Sequence, residues 1–152
     1  MPYVFDKVIE AQVAPTVTAG AYSAADVVGG LLTFSVNSPS GCGSINKLVI
    51  TDDANQKAAG SLFLFNAAPT SIANNAAGNL AIADLKKIVS VIAVVADDYK
   101  TVNGNAYAVI DDINDVYKAD GKGNLYGYFI CSGTPTYTAA TDLTLTLSVL
   151  TS

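Results

Sequence analysis

The chain has 152 residues, a net charge of −5, and 51% hydrophobic against 14% charged residues. That is enough apolar material for one packed core, and the low charge argues against a disordered chain. There is no His and no Trp, all eight basic residues are Lys, and twelve of the thirteen acids are Asp. A basic surface for nucleic acid is therefore excluded, since nothing clusters beyond Lys86-Lys87. Asp is a residue of turns and caps, and helix surfaces favour Glu, so the composition points to strands joined by acidic turns.

In chain order, "YVFDKVIEAQVA" alternates, with Val4, Asp6, Val8 and Glu10 interleaving with Phe5, Lys7 and Ile9. It predicts a partly exposed strand ended by Pro15. "DVVGGLLTFSV" (Asp26–Val36) predicts a long apolar strand whose Gly29-Gly30 pair marks a bulge, a bend or a close neighbouring backbone. "NSPSGCGS" reads as a turn, "INKLVIT" (Ile45–Thr51) as a third strand, and "SLFLFN" (Ser61–Asn66) as a strand apolar on both faces, hence central. Residues 67–79 form a long excursion of small and polar residues. A helical turn is expected around Asp84–Lys87, followed by a β-branched strand from Ile88 to Val95.

"YKTVNGNAYAVI" carries the clearest local signal. Asn103-Gly104 between two strand-like stretches predicts a two-residue type I′ hairpin, which needs positive φ at both positions. "DDINDVYKADGKGN" reads as turns, "LYGYFICS" as a strand, and "DLTLTLSVL" as the last strand, with Leu143, Leu145, Leu147 and Val149 alternating against Thr144, Thr146 and Ser148.

The sum is an all-β domain spanning residues 1–152, with about eight strands and at most one short helix. The long connections suit a two-sheet Greek-key sandwich of jelly-roll type. Leu32, Phe34, Leu48, Ile50, Leu145 and Leu147 should point between the sheets.

No basic, apolar leader opens the chain, and no apolar run is long enough to span a bilayer, so neither export nor a membrane is expected. Cys42 and Cys131 read as two buried thiols of a protein folded in a cytoplasm, with pairing possible if their strands are neighbours.

Chemistry is thinly represented. Without His there is no ordinary triad, and the cysteines have no zinc spacing. The pairs Asp52-Asp53, Asp97-Asp98 and Asp111-Asp112 could place a carboxylate, but neighbours on an extended chain point opposite ways, so turn-capping is the expected role. "DGKGN" (Asp120–Asn124) lacks the remaining ligands of a calcium loop and reads as a glycine turn. No enzyme, metal or cofactor is expected. Tyr126 and Tyr128 share a strand face, with Tyr137 nearby in sequence. Together with Thr144 and Thr146, which carry no charge that burial would strand, they are the candidate protein-interface residues.

The succession "PTVTAGAYSAADVVGGLLTF", "ITDDANQKAAGSLFLFNAAPT", "VNGNAYAVI" and "LYGYFICSGTPTYTAATDLTLTL" resembles a group of small tailed-phage virion proteins encoded among head genes. The likeness runs from about residue 15 to the end. Within that group the comparison is with jelly-roll cement, or decoration, proteins that clamp major-capsid subunits from outside. The resemblance implies a structural protein on the capsid surface, made in a bacterial host's cytoplasm. Its partners would be the major capsid protein and further copies of itself as a dimer or trimer. A tail or fibre component facing a receptor, or a carbohydrate-binding module, are the alternatives. No binding motif of the group transfers to particular residues.

Overall fold

The computed structural model describes residues 7–37 and 41–151. Among them are ten strands: β1 (Lys7–Val13), β2 (Val27–Ser35), β3 (Cys42–Asp52), β4 (Gly60–Phe65), β5 (Ile88–Val94), β6 (Tyr99–Val102), β7 (Asn105–Ile110), β8 (Asp115–Lys118), β9 (Asn124–Cys131) and β10 (Leu143–Thr151). A four-residue helix, α1 (Ile82–Leu85), precedes β5, and a 3-10 turn at Ala96–Asp98 follows it.

The strands form two antiparallel sheets. One runs β1-β10-β3-β7-β6, with β8 also paired to β3; the other runs β2-β9-β4-β5. The pairings are nested: β1 with β10, β2 with β9, β3 with β7 and β8, β4 with β5. This is the jelly-roll arrangement, a long hairpin folded over so that its inner and outer strands alternate between two layers. As expected from its two apolar faces, β4 lies inside its sheet, between β9 and β5.

Alternation places the core. Leu32, Phe34, Leu48, Ile50, Leu145 and Leu147 are each at most 1% exposed and meet between the sheets. Burying each contributes about 1.5–3 kcal/mol. The hairpin also forms as read. Val102 pairs with Asn105, and Asn103 and Gly104 between them take φ of 52° and 80°. Gly29 and Gly30 take φ of 83° and 70° where the β2–β9 register shifts. A side chain at Gly29 would collide with Pro15, so the pair supplies both the bulge and the close approach.

Three elements differ from the sequence reading. Cys42–Ser44, assigned to a turn, belong to β3 because β8 pairs with them; Ser38–Ser40 of that turn lie outside the described residues. β8 lies inside the stretch read wholly as turns. It is four residues long with a charge at each end, too short for alternation to show. It continues the course of β7 along β3 after an interruption where Asp112 and Asn114 adopt φ of 54° and 56°. The extra strand brings the total to ten, above the about eight expected. The helical turn comes slightly earlier, at Ile82–Leu85. The Val4–Asp6 part of the first strand lies outside the described residues.

The excursion after β4 is a third layer over part of the four-stranded sheet. Its backbone pairs with β2, as Asn75 N–H donates to the Val27 carbonyl and Val27 N–H to the Ala76 carbonyl, each at 2.8 Å. Beneath it Val27, Phe65 and Tyr128 are fully buried, with Ile72 and Leu80 packed on them.

Candidate interaction surfaces

The acids serve loops. Asp52 ends β3, is 1% exposed, and accepts backbone N–H bonds from Ala54 (3.0 Å), Gln56 (2.7 Å) and Lys57 (3.0 Å). Burial pushes its carboxyl up, against the pull of those three bonds. Its neighbour Asp53 is exposed, as the extended chain requires. Asp98 accepts the Val95 N–H at 2.8 Å, whereas Asp97 and Asp111 are exposed. In the "DGKGN" turn, Asp120 accepts N–H bonds from Lys122 and Asn124 at 2.9 Å each, and the Tyr126 hydroxyl at 2.6 Å. That hydroxyl chiefly holds the Asp120 carboxyl below its usual range.

The candidate tyrosines separate. Tyr137 is 2% exposed and stacks edge-on against Tyr22 at 5.8 Å, inside the main core. Tyr128 is fully buried beneath the excursion, where its hydroxyl donates to the Thr70 carbonyl (2.8 Å) and accepts the Ile72 N–H (2.9 Å). The expectation that both face a partner is corrected: in the folded chain neither reaches the surface. Tyr126, on the same outward row as Tyr128, stays half-buried with its hydroxyl on Asp120.

Thr144 and Thr146 sit differently. They project from β10 on the outer side of the larger sheet, half-buried between neighbouring strands. Register extends their rows across the sheet. Thr146 lies between Gln12 and Val49, and Val49 pairs onward with Val109. Thr144 pairs with Thr51, then Tyr107, then Lys100. Another row runs Val8, Leu150, Ser44, Val116. The row of Glu10, Ser148 and Lys47 carries one charge of each sign around a serine only 2% exposed. The outer face is thus broad, largely uncharged and dotted with exposed Val8, Val109, Val116 and Tyr107. Tyr107, Val49 and Val109 escape a strand-by-strand reading, because only register aligns them with the threonines. Their outward alternation within β3 and β7 is the signal that marks them.

No family model matches the chain, and no curated protein matches it. Among solved structures, a chain from the structure of a marine algae virus of the order Picornavirales aligns with 97% of this chain and 67% of that one, at 12% identity and a TM-score of 0.25.

On one flank, an apolar cleft of about 740 Å³ opens between the sheets. Ile88 and Val89 of β5 line one wall, and Gly43, Val116, Tyr117 and Lys118 line the other. Tyr117 lies across Gly43 from the paired strand; a Cβ at Gly43 would come within 2.7 Å of its hydroxyl oxygen. Burial pushes that phenol up to about 12. Above the cleft Ser90 and Asp115 bridge the two sheets at 2.5 Å. Cys42 opens β3 in one sheet, Cys131 closes β9 in the other, and no disulfide joins them. The Cys131 thiol lies 3.3 Å from the Ser23 carbonyl, and burial pushes its pKa up, away from the reactive thiolate. Among the described residues no group of three metal-ligating side chains converges, and no helix is long and apolar enough to cross a membrane.

Proposed function

We propose that this protein is a structural component of a virion, a jelly-roll cement protein that binds the outside of a capsid shell and has no catalytic role. The observation that carries the reading is the outer face of the larger sheet. Its rows through Thr144, Thr146, Val49, Val109 and Tyr107 hold few charges, so another protein can cover them without paying to desolvate ions. The resemblance of the sequence to small phage head-associated proteins supports the same reading. The major capsid protein would be the partner, and each contact can be modest because a shell repeats it many times.

Protein gels of purified virions test this. A fixed stoichiometric ratio to the major capsid subunit is expected. Particles lacking the protein should assemble at normal diameter and burst at lower temperature. A few copies per particle, with adsorption lost and head stability unchanged, would instead identify a tail or fibre component.

A further inference from the structure

Five strands have one side unpaired by any described strand: β1, β2, β5, β6 and β8. An exposed edge invites pairing with another chain, and soluble proteins block such edges with charges, bulges or covering segments. Four of the five follow that rule. β1 carries Lys7 and Glu10, β6 carries Lys100, and β8 carries Asp115 and Lys118. The free side of β2 is occupied by the excursion, through Val27 and through Gly29 N–H on the Asn74 side-chain oxygen at 2.8 Å.

β5 is the exception. Its sequence IVSVIAV has no charge and no proline. Its bulge lies at the start, where the register with β4 shifts around Val89, and leaves Ser90–Val94 regular. Exposed apolar side chains gather along this stretch of chain: Ile82 and Leu85 of α1, Val91, and Val95 just after the strand.

The charges around β5 identify the occupant. The stretch reads KKIVSVIAVVADD, with exposed Lys86 before the uncharged run, where Lys87 is already held by Asp84 at 2.9 Å, and Asp97-Asp98 after it. Its midpoint is Ile92. A second copy laid antiparallel about that midpoint brings each copy's lysine end beside the other's aspartate end, whereas a parallel pairing sets like against like. The same register puts Val91 opposite Ala93 and Ser90 opposite Val94, so outward residues face outward residues and inward face inward. We propose that β5 pairs with β5 of a second copy about a two-fold axis, joining the two four-stranded sheets into one continuous sheet. An isologous contact of this kind consumes both exposed edges at once and closes, so no template remains for further addition. The local charge complementarity also offsets the repulsion between two chains of net charge −5.

Sedimentation velocity on the full-length protein over a concentration series tests it, and a dimer is expected. Val91 is half exposed, so Val91→Lys should leave the thermal melt intact and yield a monomer. Lys86→Glu and Asp97→Lys, both at exposed positions, should each weaken self-association by about tenfold. Mixed in equal amounts, these two variants should form a heterodimer tighter than either variant's own dimer. Should Val91→Lys fail to fold, the charge-swap mixture still decides. A wild-type monomer at every concentration overturns the proposal. So does a dimer indifferent to Val91→Lys, or a mixture no tighter than its components.

Discussion

The Tyr128 hydroxyl donates a hydrogen bond to the Thr70 carbonyl and accepts one from the Ile72 N–H, so a single phenol ties the covering excursion to the sheet beneath it. Tyr128→Phe keeps the ring contact with Phe65 at 6.0 Å but strands the Ile72 N–H under the layer. Because Ile72 is half-buried, the expected cost is about 0.5–1.5 kcal/mol, the net worth of an ordinary hydrogen bond. Hydrogen exchange should accelerate within residues 66–87 more than in β3 or β10. In the β6–β7 turn, Gly104→Val would force positive φ on a β-branched residue. It should destabilise by over about 1 kcal/mol in chemical denaturation, and an unchanged midpoint would refute the strain.

Carboxylates hold the connections between elements, which gives the fold a pH dependence of definite sign. Asp84 in α1 accepts Lys87 at 2.9 Å and the Thr70 N–H at 3.0 Å. Asp142, before β10, accepts N–H bonds from Thr138 and Ala139 and the Thr138 hydroxyl. With Asp120 these carboxyls lie below the ordinary value of 3.8: Asp84 chiefly through Lys87, Asp120 through Tyr126, Asp142 through the Ala139 N–H. A lowered folded-state pKa contributes stability that is complete above the unfolded value and fades as pH falls through the folded one. Asp52, raised by burial, has the opposite sign and partly offsets the loss. Melting temperature should therefore fall as pH drops below about 4, and Asp142→Asn should flatten the fall.

At this scale the strands were largely legible. Period-two alternation marks β1, β3 and β10, an apolar run with its Gly-Gly pair marks β2, and the turn chemistry of Asn103-Gly104 marks β6 and β7. What escaped was non-local. β8 forms because β3 offers it a partner, and the excursion packs down because Val27, Phe65 and Tyr128 are apolar on the side that a half-solvated sheet would turn to water. That covering layer buries Tyr128, while Tyr137 is buried separately against Tyr22 in the main core; sequence alone leaves both as candidate contacts. Thr144 and Thr146 read correctly as a non-core row, yet the surface they belong to exists only once β3 and β7 are in register beside them.

The whole molecule is a set of nested pairings. The innermost joins neighbours in the chain, β4 and β5, and the outermost joins Lys7 of β1 to Thr151 of β10. Such long-range closure is slow because loop entropy is spent before contacts reward it, so refolding should take milliseconds to seconds. Substitutions at β1 such as Ala11→Gly should speed unfolding and leave the refolding rate nearly unchanged in stopped-flow measurements, as expected for a strand docked late.

The antiparallel pair β1–β10 also sets a direction of weakness. Lys7 and Thr151 stand side by side at one end of that pair. Tension that draws these two residues apart loads the ladder one rung at a time, as a zip opens. Tension along either strand against its neighbour loads all the rungs together. A molecule anchored through its faces or through β5 keeps strain away from that seam, whereas one tethered by Lys7 and Thr151 would open from it first.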